Sequence, residues 1–315
     1  MKAAVVNQFG SPEVLEIKDI KKPDCEKDQL LLKVYAVSIN PIDWKQRKGN
    51  HKLFLGSPFP IVLGYDVCGI VEEIGAEIKG FKKGDLAFGV LDNKYGGALA
   101  EYAVGHEKCF AHKPEKITNE EAAAFPMVAL TALQALRDKA NLKAGQTVLI
   151  NGASGGVGHV AVQVAKIIGA KVIAVASTQS KEFVSQFKPD EYIDYKKQDI
   201  LKINQNVDVF FDVVGNSSFP KTKHLLNPGG VYVNTLPRPK IIIHKLLQPF
   251  TQGKKVKTLL MKHKSEDIKL IAQWINEEKL RVEIDKKFTL QQISEAHKYA
   301  QQGHNKGKNI VVISQ

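Results

Sequence analysis

Cysteine is scarce in this chain of 315 residues: Cys25, Cys68 and Cys109 lie far apart and form no C-x-x-C pair. That excludes a disulfide-stapled scaffold and implies reduced thiols in a cytoplasmic setting. No window approaches about 18 uninterrupted apolar residues, so no membrane-spanning helix is expected. The opening stretch MKAAVVNQFGSPEVLEI carries charge early and has no long apolar core, which does not fit a signal peptide. Arginine is also scarce, with Arg47, Arg137, Arg238 and Arg281 the only four among 45 basic residues. A formal charge of +12 built on scattered lysine argues against specific nucleic-acid recognition, where arginine is the preferred reader. The stretch 239–264 is the exception, because it mixes an apolar run with clustered lysines. A lid, a dimer contact, weak peripheral contact with a membrane surface and a buried strand at Val256–Met261 are its four readings, the last preferred.

What the chain does have is the run QTVLINGASGGVGHVAVQVAKIIGAKVIAVAS, Gln146 to Ser177. Thr147–Ile150 reads as a strand and Asn151–Gly156 as a glycine turn. Val157, Val160, Ala161, Val164, Ala165 and Ile168 then recur at helical spacing, and Lys171–Ala176 is a strand again. A strand that delivers a glycine turn to a helix N-terminus makes an anion site, because free N–H groups and the helix dipole face the phosphate. Ser154, Gly155, Gly156 and Val157 are the loop residues placed to hold a pyrophosphate. Gly158 lets the helix pack closely on the strand. Ala153 stands where the fingerprint has its first glycine, so the motif is A-x-G-x-x-G.

An absence at the end of the second strand then selects the dinucleotide. An NAD site places Asp or Glu there, about 20 residues after the glycines, to bond the ribose hydroxyls. Here Ser177, Thr178, Gln179, Ser180 and Lys181 follow, with no acid before Glu182. A hydroxyl and a lysine suit a 2′-phosphate, so NADPH is the expected cofactor; a solvated lysine is the plain alternative for Lys181.

Strands and helices continue to alternate beyond this unit. Strands are expected at Glu191–Tyr195, Val207–Val214 and Gly229–Leu236, with helices near 180–187 and 218–226. That pattern predicts an α/β, doubly wound parallel sheet. The first 120 residues differ, with short β-rich runs broken by Gly and Pro at Leu30–Val37, Ile61–Ile74 and Leu99–Val104. The strand Lys308–Ile313, following a helix near 290–302, is expected to return to that first domain.

These segments together resemble the medium-chain dehydrogenase/reductase superfamily, in its zinc-independent quinone oxidoreductase and alkenal/enone reductase branch. The resemblance rests on SINPIDWKQRKG (Ser38–Gly49), GYDVCGIVEEIGAEIKGFKKGD (Gly64–Asp85), GGALAEYAV (Gly96–Val104) and AAAFPMVALTALQAL (Ala122–Leu136). NGASGGVG, DEYIDYKKQD (Asp190–Asp199) and HNKGKNIVV (His304–Val312) complete it. The NPxDWK and HxxGK forms are most similar to chloroplast-envelope-type quinone oxidoreductase homologues. The resemblance implies a β-rich GroES-like catalytic domain at 1–121 and 285–315 and a Rossmann NADPH-binding domain at 122–284. It also implies Thr131 near the nicotinamide and phosphates, and Tyr195 against the adenosine phosphate beside Ser177 and Lys181. Asn234, Thr235 and Leu236 would border the nicotinamide, Asn40 would take part in both cofactor and substrate contacts, and Lys308 would approach the cofactor. The family serine after the fourth strand is matched by Val213 or Val214. A homodimer through the Rossmann sheet edge is a further implication.

Zinc alcohol dehydrogenases hold their metal on a cysteine and on a histidine with a neighbouring glutamate; the matching residues here are Asn40, Tyr65 and Asp66. Tetrahedral zinc needs thiolate or imidazole ligands, so no metal is expected. An enone, enal or quinone accepts hydride without a Lewis acid, provided that donors meet the developing oxyanion. Asn40, Tyr65 and Lys45 are the candidates, against a turn residue, a cleft wall and a solvated lysine. The expected reaction is hydride transfer from NADPH to a quinone or an α,β-unsaturated carbonyl. A 2-enoyl thioester reductase and a non-enzymatic NADPH-binding sensor, or a protein that binds RNA or a membrane surface, are the rival readings.

Overall fold

The computed structural model describes residues 1–235, 253–303 and 305–314. Leu236 and 239–252 of the lysine-rich stretch lie outside them. The chain forms two compact units, one of residues 1–127, 263–278 and 282–315 and the other of 128–262 with 279–281. The strands of the first unit before its break are β1 (Lys2–Val6), β2 (Leu15–Asp19), β3 (Gln29–Ile39), β4 (Ile61–Val62), β5 (Asp66–Ile74), β6 (Leu86–Val90), β7 (Tyr102–His106) and β8 (Phe110–His112). The second unit contributes β9 (Thr147–Asn151), β10 (Lys171–Ala176), β11 (Glu191–Asp194), β12 (Val207–Asp212), β13 (Leu226–Asn234) and β14 (Lys255–Thr258). The chain closes with β15 (Ile284–Thr289) and β16 (Lys308–Val312) in the first unit.

The second unit is one parallel sheet in the order β11-β10-β9-β12-β13-β14. This is the doubly wound arrangement, in which ligands sit beyond the carboxyl ends of the strands where the order reverses, here at β9. Its strands are near-continuous apolar runs because helices cover both faces; Val148, Leu149 and Ile150 of β9 are fully buried. The strand expected at Val256–Met261 is present only in its first half, as β14 (Lys255–Thr258) parallel to β13, with residues 259–261 outside the strand.

Two glutamines grip backbone at the points where the chain enters or leaves this unit. Gln134 donates to the Lys262 carbonyl at 2.8 Å and accepts the Lys262 N–H at 2.9 Å. Gln163 treats Arg281 the same way, donating to its carbonyl at 2.8 Å and accepting its N–H at 2.9 Å. Each amide satisfies a donor and an acceptor that no strand reaches.

The first unit carries a seven-stranded sheet in the order β15-β16-β3-β5-β6-β8, with β7 also paired to β3, and a smaller sheet β2-β1-β4. The C-terminal strand returns as expected, with β16 antiparallel to β3 from Asn309 opposite Ile39 to Val312 opposite Ala36. Strand β3 buries Leu30, Leu32, Val34 and Val37 completely in the main core. Each such side chain contributes about 1.5–3 kcal/mol.

The unit boundary falls at Met127 rather than near 121, and helix Ser265–Asn276 groups with the β-rich unit instead of the Rossmann unit. The helix follows its apolar face, which buries Ile268, Ile271 and Ile275 at a spacing of three and four residues.

Candidate active site

The glycine loop follows β9 at the carboxyl end of the sheet. Gly152 and Ala153 donate their N–H groups to the Val175 carbonyl, at 3.1 and 2.9 Å, which turns the chain back over β10. Gly152 has φ +96°, so the left-handed residue sits one place before the fingerprint's first position, and Ala153 is tolerated there. Gly155 then caps helix Gly156–Ile168. The first intrahelical bond is His159 N–H to the Gly155 carbonyl, so the N–H groups of Gly156, Val157 and Gly158 have no helical acceptor.

The two glycines have different jobs. A Cβ on Gly158 would lie 2.0 Å from the Gly152 carbonyl oxygen, whereas one on Gly155 would meet nothing nearer than 3.7 Å. Gly158 therefore serves helix packing and Gly155 leaves space over the loop. Ser154, Gly155, Gly156 and Val157 are all partly exposed. Open backbone donors at a helix N-terminus fit a pyrophosphate.

At the end of β10, Ser177 is half-buried and its hydroxyl lies 3.2 Å from that of Ser180. Lys181 is exposed at the start of helix Lys181–Ser185. Tyr195 is half-exposed, with the Lys196 ammonium 5.4 Å from its ring centre. The structure also brings a carboxylate that local sequence did not. Ala176 pairs with Asp194, so β11 places Asp194 beside the end of β10, where it accepts the Thr178 hydroxyl at 2.5 Å. That hydroxyl bond, foremost, holds the Asp194 carboxyl below its ordinary range and keeps it charged.

Two strands across, at the same carboxyl end of the sheet, Asn234 is buried with its Oδ1 unpaired, and the Thr235 hydroxyl donates to the Val213 carbonyl at 3.3 Å. Thr131 is buried in helix Pro126–Leu133. Val214, one of the two residues matched to the family serine, is half-exposed. A buried amide oxygen without a partner at the carboxyl end of β13 fits a polar ligand group such as a carboxamide.

The first unit contains a buried polar cluster whose centre is Asp66. It accepts from the Ser38 hydroxyl at 2.6 Å, the Asn40 amide at 2.8 Å and the Met127 N–H at 2.7 Å, and the Lys308 ammonium stands 3.4 Å away. Lys308 also donates to Asn40 Oδ1 at 2.6 Å and to the Ile39 carbonyl at 3.4 Å. Burial pushes the Asp66 carboxyl up and the Lys308 ammonium down; the hydrogen bonds and the opposite charge resist both shifts. Close by, Asp43 accepts the Asn40 N–H at 2.7 Å but leaves Oδ1 buried and unpaired. Burial raises its carboxyl to about 7.

In this geometry two of the expected donors are engaged within the protein. Asn40 does not present a free amide to an oxyanion, because its two N–H groups go to Asp66 and the Ser38 carbonyl and its oxygen to Lys308. Lys308 likewise directs its three donors at the Ile39 carbonyl, Asn40 and Asp66 and is only 3% exposed. Tyr65 is also engaged, accepting from Gln46 at 2.7 Å and donating to the Lys94 carbonyl at 3.0 Å. Burial pushes its phenol up to about 12. Lys45 differs from all of these. It is half-buried, lies 5.4 Å from the Trp44 ring centre, and has no ion pair or hydrogen bond to its ammonium among the described residues. Burial lowers its pKa.

The residues at the zinc positions do not fit that metal. Asn40 and Asp66 spend their polar atoms on each other and on Lys308, and a phenol titrating near 12 is no ligand at neutral pH. Among the described residues no group of three or more His, Cys, Asp or Glu is arranged to hold a metal ion.

Ser38, Asp43 and Gln46 were not singled out from sequence. The signal available was a polar residue inside an apolar run, such as Ser38 in YAVSIN and Asp66 in VLGYDVCG.

Residues 26–115 match the family described as "Alcohol dehydrogenase GroES-like domain", and residues 188–311 match "Zinc-binding dehydrogenase". The chain is 35% identical to the chloroplast envelope quinone oxidoreductase homolog of Arabidopsis thaliana, over 99% of this chain and 98% of that protein. It is 35% identical to the chloroplastic NADPH-dependent alkenal/one oxidoreductase of the same plant, over 82% of this chain and 72% of that one. The solved quinone oxidoreductase of Coxiella burnetii superposes with a TM-score of 0.91 at 33% identity, covering 100% of this chain and 99% of that one. The chain belongs to the medium-chain dehydrogenase/reductase family, in its quinone oxidoreductase and alkenal/enone reductase branch.

Proposed function

We propose that this protein is an NADPH-dependent, zinc-independent oxidoreductase that reduces a quinone or the activated C=C bond of an enone or enal. The observation that carries this is the glycine loop, with open N–H groups at a helix N-terminus and a Gly158 that admits no side chain. Ser154 to Val157 would hold the pyrophosphate, and Thr131, Asn234 and Thr235 the nicotinamide half. Leu236, outside the described residues, belongs to the same group. Ser177, Lys181 and Tyr195 would receive the 2′-phosphate. Asp194 opposes a second negative charge there, and Lys181, Lys196 and Lys197 offset it.

When bound, the reduced nicotinamide supplies a hydride. The chain's part is to position the acceptor and to stabilise the oxygen that gains charge. Lys45 is the donor best suited to that oxygen, because its ammonium is half-buried without a competing protein acceptor. Tyr65 shapes the wall beside it. Its bonds from Gln46 and to the Lys94 carbonyl, with that of Tyr95 to the Gly56 carbonyl at 2.5 Å, tie the 44–56 and 93–97 segments together. Asn40, Asp66 and Lys308 act as positioning residues that fix the start of helix Pro41–Arg47, from which Lys45 projects.

The test is oxidation of NADPH and NADH by chelator-treated protein with a short alkenal, a cyclic enone, a benzoquinone or an enoyl thioester as acceptor. Turnover with NADPH that survives the chelator supports the reading, and the acceptor ranking names the substrate class. Tight NADPH binding with no turnover on any acceptor would overturn it in favour of a sensor. A preference for the enoyl thioester would reassign the substrate.

A further inference from the structure

At the opposite end of the Rossmann sheet from the glycine loop there is a cavity of about 410 Å³. Its walls come from the first residues of β12, from Pro228 to Val231 of β13, from β14 and from the residues that precede β9. Lys139, Lys143, Lys255 and Lys257 line it, with Asp208 as its one carboxylate. We propose that this cavity binds a compact, multiply charged phosphate compound at a site separate from the dinucleotide.

Three observations carry the proposal. The first is unbalanced charge. None of the four lysines has an ion-pair partner among the described residues, and Asp208 turns its oxygens to the Thr147 N–H at 2.8 Å and the Asn227 amide at 2.9 Å. Four ammonium groups around one hollow raise its potential, and an anion of several charges relieves that repulsion. The second is space. The volume lies within the range of small-molecule sites, roughly 300–1,000 Å³, and exceeds what one phosphate fills. A Cβ on Gly229 at the rim would meet nothing within 4 Å. The third is what the lining lacks. No aromatic side chain and no arginine is among the lining residues. A base has nothing to stack on, which disfavours nucleotides and single-stranded nucleic acid and favours phosphoryl groups on a small or inorganic frame. The cofactor loop lies one strand length away, about 16 Å for five residues, so one small ion cannot occupy both places.

The test is calorimetric titration of the full chain with sodium tripolyphosphate, with and without saturating NADP⁺, for wild type, K139Q/K257Q and K143Q/K255Q. The expected result is saturable binding at one ion per chain that persists with NADP⁺. Each double variant should weaken it at least about tenfold, without changing the melting temperature or NADP⁺ affinity. Loss of binding when NADP⁺ is present, or equal binding by wild type and both variants, would overturn the site. So would a duplex oligonucleotide that binds more tightly than tripolyphosphate with the same lysine dependence, since the ligand would then be a nucleic-acid backbone. If the lysines serve only to offset the carbonyls at the end of the 134–139 turn, the variants will melt earlier and bind tripolyphosphate as wild type does. Failure of the dinucleotide reading is a separate event. NADP⁺ titrated alone would then give no binding heat, while tripolyphosphate binding and its dependence on Lys139 and Lys257 remained.

Discussion

The glycine loop of the second unit and the Asp66 cluster of the first use polar groups in opposite ways. Around residues 154–158 the chain strips away side chains and leaves backbone N–H groups without protein acceptors. Around Asp66 it fills almost every valence internally, with Ser38, Asn40, Met127 and Lys308 all directed at one carboxylate or at each other. Donors left open mark a place for a ligand. Donors closed on one another mark a brace, even where the family places catalysis at the same sequence positions. Lys45, five residues from Asn40, is an open group beside that brace.

The sharpest way to break this comparison is to remove the centre of the brace. Asp66→Ala leaves Lys308 buried without its counter-charge and should cost about 3–5 kcal/mol in chemical denaturation, with NADP⁺ affinity in the surviving folded protein nearly unchanged. If affinity falls as steeply as stability, the two regions are not distinct.

Next in size is a pH effect confined to the first unit. Asp43 titrates at about 7 when folded, against an ordinary 3.8. Well below pH 3.8 the carboxyl is protonated in both states and has no effect. As pH rises the unfolded chain loses the proton first, so stability falls until about pH 7 and then levels. Asp43→Asn should therefore gain on wild type between pH 4 and 8 by on the order of 3–4 kcal/mol, read from denaturation at each pH. A constant difference across that range would mean that Asp43 is already ionised in the fold.

The open region responds differently. Gly158→Ala forces a methyl against the Gly152 carbonyl and should cost about 1–3 kcal/mol of stability, and it should also weaken NADP⁺ binding. Lys181→Ala should leave stability alone and weaken NADPH about tenfold while NADH is unchanged. An equal loss of both cofactors would remove Lys181 from the 2′-phosphate pocket.

The same contrast explains what sequence could reveal. The β9–loop–helix unit lies within one stretch of about 30 residues, and its period and glycines are local properties, so its elements are found within a residue or two of expectation. The Asp66 cluster is drawn from residues 38–43, 66, 127 and 308, and no local pattern states that these meet. Asn40 and Lys308 were recognisable as important, but the direction in which their amide and ammonium point depends on Asp66, which only the fold supplies. Asp194 escaped notice for the same reason, because it reaches the end of β10 through the pairing of β11. The break after Met127 and the grouping of helix Ser265–Asn276 with the first unit depend on contacts between distant segments, which no local pattern states.

The glutamines that grip Lys262 and Arg281 bear on how the second unit could be isolated. A fragment ending at Lys262 would keep the clamp on Gln134, which closes on its own last residue. It would lose Arg281, leaving the amide oxygen of Gln163 without its N–H donor and the amide nitrogen with only the His159 carbonyl at 3.1 Å. Only a primary amide can serve there, since glutamate would set a carboxylate against a carbonyl. A stand-alone cofactor unit would therefore have to carry 279–281 as a tethered peptide. Without it, the unit should fray at that seam.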